Sequence, residues 1–143
     1  MAKTDVFEEY MLTLIFRNEA PLTIGGGTGV LPSNVDGFLA FDLLTADSGE
    51  AGASAPPLQV VNYGGYAAVN VPRNASQWAY SGGAMRPLLP IDFPVCTSGS
   101  TTATHVCVSS NGIILYRGAL TPSIVITAGI SPRIGTGSAI TED

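Results

Sequence analysis

The sequence predicts an all-β protein, an antiparallel sandwich of jelly-roll type with one amphipathic helix at its N-terminal end. Three observations carry that expectation. Among 143 residues there are 17 glycines, 10 prolines and 25 serines and threonines, a composition that disfavours long helices and suits short strands joined by tight turns. Seven to nine short apolar or alternating runs follow one another without β–α alternation, the pattern of a sandwich rather than a parallel sheet. Asn111-Gly112 lies between two such runs and supplies the two positive-φ residues that a type I′ hairpin needs. Hydrophobic residues make up 45% and charged residues 12%, about half the usual charged share, so the chain folds rather than staying disordered. Its length suits a single domain, residues 1–143.

The helix is expected over residues 5–17, with Asp5 as its cap and Glu8 three residues later in capping-box order. Phe7, Met11, Leu14 and Ile15 recur at i, i+4, i+7 and i+8, flanked by Val6 and Tyr10, and form the face to be buried. That face either closes the open end of a sheet or acts as an arm on a neighbouring subunit. Residues 18–37 hold Gly25, Gly26, Gly27 and Pro32 without periodicity and read as a surface loop or strap. The sandwich then occupies residues 38–143. Its strands are expected at 38–44, 58–62, 66–71, 76–80, 91–96, 103–109, 113–117 and 123–128, with a weak one near 138–141. A turn at 47–52 and the pairs Gly64-Gly65 and Gly82-Gly83 separate them. No repeat of propeller, solenoid or β-helix length is present.

The chemistry-bearing residues are few. His105 is the single histidine, so a triad or zinc site would need it. Cys96 and Cys107 lack the close Cys-x-x-Cys spacing of a structural metal site and read as buried thiols in a reducing compartment. The run Gly25-Gly26-Gly27-Thr28-Gly29 is followed by Val30-Leu31-Pro32 rather than the Lys-Ser/Thr of a phosphate loop. Asp42 and Asp92 are the best pair of acids for a hydrolase, though a strand-edge aspartate usually binds turn amides. Asn74-Ala75-Ser76 matches a glycosylation acceptor, idle without a secretory route. Tyr63, Tyr66, Trp78 and Tyr80 are the candidates for stacking on a sugar, against the plainer reading of core and subunit packing. No catalytic, cofactor or metal residue is assigned, and no cofactor is expected.

Six cations face eleven acids and Lys3 is the sole lysine, so nucleic acid, which demands phosphate neutralisation, is excluded as a partner. The longest apolar run, residues 10–16, falls short of the roughly 18 residues that cross a bilayer, and no signal peptide is visible. Synthesis in a cytosol and no membrane contact are therefore expected. A weakly charged, apolar small protein has surface to hide in other proteins, which points to a subunit of an assembly.

One group of proteins shares the order of these elements: a short amphipathic helix, a strand ending in Leu-Leu-Thr-Ala-Asp-Ser-Gly-Glu-Ala-Gly (43–52), Gly-Gly-Tyr-Ala (64–67), and a hairpin arm Gly-x-x-Leu-Tyr-x-Gly-Ala-Leu (112–120). The chain resembles the small virion structural proteins of tailed bacteriophages, often labelled phage tail fibre proteins. The resemblance spans nearly the whole length. It implies a non-enzymatic virion component, assembled in the host cytoplasm, whose partners are the major capsid or tail proteins and further copies of itself. A fibre shaft calls for a coiled coil or repeat, and neither is present. The first expectation is therefore a capsid decoration or cement protein on the particle exterior; the alternative is a tail-fibre, tail-tip or adaptor protein, with a carbohydrate-binding module behind both. On this reading the subunit contacts are Phe7, Met11, Leu14 and Ile15 on the helix and Gly25, Gly26 and Gly27 in the strap, where glycine lets a backbone lie close to a partner.

Overall fold

The computed structural model describes residues 2–20, 32–49 and 59–142. In chain order the elements are α1 (Asp5–Arg17), β1 (Phe38–Leu44), β2 (Val69–Pro72), β3 (Trp78–Ser81), β4 (Ala84–Pro87), β5 (Ile91–Asp92), β6 (Ser100–Ser110), β7 (Ile113–Thr127) and β8 (Arg133–Ile134). Among the described residues the chain is all-β apart from α1, its sheets are antiparallel, and none closes into a barrel. Its contacts divide it into two compact units, one drawn from Met1–Phe38, Pro72–Pro90 and Ile134–Asp143, the other from Leu39–Val71 and Ile91–Arg133.

In the first unit Thr4, not Asp5, caps α1, accepting from the Phe7 amide on both its hydroxyl and its carbonyl oxygen. The cap expected at Asp5 is thus displaced by one residue, and with Phe7 three residues after Thr4 the capping box expected between Asp5 and Glu8 is not formed. Both acids still sit in the first turn, where the helix dipole favours negative charge. Asn18 ends the helix at φ 55, one of the few non-glycine types that accept this conformation. Its side chain accepts from the Ser33 amide at 2.7 Å and donates back to the Ser33 carbonyl at 3.0 Å. Arg73 finishes the terminus, its Nε donating to Ile15 O at 2.6 Å and its Nη2 to Leu14 O at 2.9 Å. Those carbonyls have no partner within the helix, and a cation there opposes the negative end of the dipole.

The helix packs on the β3–β4 hairpin. That hairpin turns at Gly82 and Gly83, both at positive φ, the geometry a two-residue turn requires. The sequence reading takes the glycine pair as a break and misses β4. Tyr10, Leu12, Thr13 and Phe16 are the buried helix residues, and Phe16 meets Trp78 edge-on at 4.8 Å between ring centres. The Trp78 indole donates to Pro72 O at 2.9 Å. The stripe expected inside is therefore only partly buried: Phe7 is 37% exposed, while Met11, Leu14 and Ile15 are half-buried. α1 carries apolar side chains on more than one face, and periodicity could not tell which face meets Trp78. The strand expected near 138–141 reduces to one bridge between Ile140 and Met85.

The second unit is built on a four-stranded sheet ordered β2-β1-β6-β7. β1 matches its expected span residue for residue, and its Leu39, Phe41, Leu43 and Leu44 are buried. β1 runs antiparallel to β6 from Ala40↔Ser109 to Leu44↔His105. The Asn111-Gly112 hairpin is present, with φ 51 and 78. Of the strands expected at 58–62 and 66–71, the first is a single bridge between Val60 and Leu44 and the second shortens to β2. The strand expected at 91–96 is only β5, which pairs with the unforeseen β8.

The runs 113–117 and 123–128 join into one fifteen-residue strand, β7. Pro122 reads as a breaker, but an edge strand tolerates proline because one side of its backbone has no partner to lose, and β7 is an edge. The ladder adjusts around it: opposite Ala103 stands Ile124, opposite His105 stands Ala119, and Thr121–Pro122 is a cis peptide within the bulge. At the other end of the unit, Gly64 N donates to Ser98 O and Thr97 N to Gly64 O. This approach leaves no room for a side chain, since a Cβ on Gly64 would lie 2.3 Å from the Ser98 hydroxyl.

Candidate interaction surface

The residues that could carry chemistry are each occupied by the fold. Asp42 on β1 accepts from the Tyr66 hydroxyl at 2.9 Å, and that hydroxyl accepts from the Leu43 amide at 3.0 Å. Burial, the dominant cause, pushes the Tyr66 phenol upward. Asp92 pairs with Arg133, its Oδ2 receiving Nη2 at 3.1 Å. The two acids singled out for hydrolysis thus each serve a partner of their own. His105 shares a 2.9 Å hydrogen bond between its Nδ1 and the Thr104 hydroxyl. Burial pushes the Cys107 thiol up to about 11, which leaves it protonated and inert near neutrality. Cys96 is a free buried thiol donating to Ser98 O at 3.3 Å. Among the described residues no three potential ligands come together to hold a metal, and no helix is long and apolar enough to cross a membrane. Asn74 accepts from the amides of Ser76 and Gln77, both at 3.1 Å, so the acceptor pattern builds the turn before β3.

Of the aromatic candidates, Tyr63 and Tyr66 belong to the second unit and meet edge-on at 5.2 Å. Tyr63 is 5% exposed and donates to Pro94 O at 2.8 Å, and Tyr66 stacks on Phe93. Trp78 and Tyr80 lie on β3, Trp78 being 1% exposed. Buried rings such as Tyr63 and Trp78 present no face to a sugar, which corrects the stacking expectation for those two. Desolvation, then the negative charges of Glu9, Asp5 and Glu8, raise the Tyr80 phenol.

The cations are spent internally. Lys3 pairs with Glu142, Arg17 with Glu19, Arg117 with Asp47 and Arg133 with Asp92, while Arg73 binds the helix carbonyls and Arg86 donates to Gly137 O. Exposed pairs of this kind add little stability, but they leave none of the six cations for an anionic ligand. Sequence reasoning missed Arg73 altogether, because the carbonyls it binds lie 58 and 59 residues away. The Arg117–Asp47 pair had a visible signal: Arg117 is the one formally charged residue between 93 and 132.

Several large apolar side chains also stand exposed. On the helix unit these are Val6, Phe7, Val35, Phe38, Leu88 and Leu89; on the second unit they include Ile113, Leu115 and Val125 along β7. Gly25, Gly26 and Gly27 lie outside the described residues. A family model described as Podophage GP4 fiber I protein gp80 matches residues 3–141. The chain belongs to this podophage fibre family. It is thereby a phage structural protein of fibre type and a virion component. No curated protein matches it. Described residues of the three motif segments have physical roles in the second unit: Asp47 of 43–52 holds Arg117 of 112–120, Tyr66 of 64–67 holds Asp42, and Gly64 admits residues 97 and 98.

Proposed function

We propose that the protein is a non-enzymatic structural piece of the phage tail fibre, joined to other tail proteins and to further copies of itself. The family match over residues 3–141 carries this reading and favours the tail fibre over capsid decoration. A shaft needs a repeat, whereas a short all-β chain with open sheets suits a fibre head, tip or joint. The engaged acids, the protonated buried thiol and the internally paired cations support a structural role over an enzymatic one. Immunogold labelling of intact virions tests it. Gold confined to the tail fibres is the expected result, and gold in an icosahedral array over the head would overturn it in favour of a decoration protein.

A further inference from the structure

Six asparagines occur in the chain, and Asn111 stands apart from the other five. It alone precedes a glycine, whose nitrogen has no neighbouring Cβ to shield it. Asn18 and Asn74 are tied down by their side chains, Asn18 to Ser33 and Asn74 to the amides of Ser76 and Gln77. The Asn111 carboxamide has no hydrogen bond among the described residues, and both Asn111 and Gly112 are exposed. Open space surrounds the turn, since a Cβ on Gly112 would meet nothing within 4 Å. The turn is also weakly moored. Behind it the ladder holds only the pairs Ser110↔Ile113 and Ser109↔Ile114 before a bulge, after which Val108 faces Tyr116. A tip set off by a bulge opens without disturbing the rest of the sheet.

We propose that Asn111-Gly112 is a self-modifying site, at which the chain's own backbone and water convert the Asn111 carboxamide to a carboxylate. Asn111 sits at φ 51 in the closed turn; when the tip opens, its ψ is free to rotate and bring the Gly112 nitrogen to Cγ. Hydroxide removes the Gly112 amide proton, the nitrogen attacks Cγ, and the new C–N bond closes a five-membered imide. The Cγ–Nδ2 bond breaks, and Nδ2 takes a proton from water and leaves as ammonia, which regenerates the hydroxide. Water then opens the ring. Cleavage between the nitrogen and Cγ gives aspartate, and cleavage between the nitrogen and the backbone carbonyl gives isoaspartate, with the main chain running through Cβ. The sum is one water consumed and one ammonia released, with no redox change. Either product adds a negative charge to a chain of net charge −5, inside a stretch, 93–132, whose one formal charge is Arg117. Isoaspartate also lengthens the backbone of a two-residue turn by one carbon, which type I′ geometry does not accommodate. The bulge behind Ser109 confines that damage to the tip. This chemistry belongs to the chain itself and holds wherever in the virion it sits.

The test holds the full chain in mildly alkaline buffer below its melting temperature, then digests it for peptide mass spectrometry, with isoaspartyl methyltransferase labelling to tell the two products apart. The peptide carrying Asn111 is expected to convert first and to release its ammonia in step, while Asn18 and Asn74 stay intact. Gly112→Ala is expected to slow conversion by about tenfold or more. Asn111→Gly, which keeps a pair suited to the turn, is expected to abolish it. In converted chains hydrogen exchange is expected to quicken at residues 109–114 and to stay unchanged at 100–107, behind the bulge. Conversion that begins at another asparagine, an Asn111 that converts only once the chain is denatured, or ammonia release undiminished in Asn111→Gly would each overturn the proposal.

Discussion

The two units are held together by different means. In the helix unit, side chains do the fastening: Thr4 caps one end of α1, Arg73 and Asn18 close the other, and Trp78 is fixed by a ring contact and one hydrogen bond. In the sheet unit the backbone does it, through the β1–β6 and β6–β7 ladders. Charges follow the same division, since residues 93–132 of the sheet unit contain Arg117 and no other formal charge. A fold fastened by a few side chains concentrates its sensitivity at those residues. A fold fastened by ladders spreads sensitivity out, except where two backbones touch.

The largest effect is expected from Trp78→Ala. Removing a fully buried indole that packs on Phe16 costs about 3–5 kcal/mol, and hydrogen exchange should show it first as lost protection in α1 and β3. Arg73→Ala comes next, at about 2–3 kcal/mol, because two helix carbonyls lose a charged donor; Arg73→Lys should recover only part, since a single ammonium lacks the planar fork. If chemical denaturation showed no loss for Arg73→Ala, the contrast between the units would break. In the sheet unit Gly64→Ala is expected to cost about 1–3 kcal/mol by forcing residues 97 and 98 away, while a substitution at open Gly112 strains only a turn.

The smallest effects come from titration, and two residues of the sheet unit give opposite signs at the two ends of the pH scale. The Tyr66 phenol is raised in the folded chain by burial, so its contribution is complete below its unfolded value near 10 and is lost as pH climbs above that. Tyr66→Phe should abolish this alkaline sensitivity in a pH-dependent melt. The Gly49 amide, then Arg117, hold the Asp47 carboxyl below its usual range, with His105 also facing it. Its contribution is present above the unfolded value near 4 and fades as pH falls through the lower folded one.

Much of the sheet unit was legible because its signals are local. β1 is a continuous apolar run, and Asn111-Gly112 specifies its own turn. The failures came where the deciding partner is distant. Pro122 breaks a strand in a local reading and not on an edge, and being an edge is a property of the sheet. Gly82-Gly83 reads as a gap because Ala84-Met85-Arg86-Pro87 has no alternation or β-branched residue to announce β4. The inward face of α1 was chosen by Trp78, more than sixty positions along the chain. Of the contact surface, the neutral stretch around Arg117 is plain in the sequence, but its place on an open edge required the strand order.

The segments of the two units alternate along the chain, which passes from one to the other after residues 38, 71, 90 and 133. Synthesis from the N-terminus imposes a schedule on such an arrangement. α1 leaves the ribosome before the hairpin it packs on, which follows some sixty residues later, and Ile140, which bridges Met85, follows later still. The sheet unit has all its segments once Arg133 has emerged. The helix unit, whose first segment precedes all of the sheet unit, is thus completed after it, and no single cut between consecutive residues yields either unit whole.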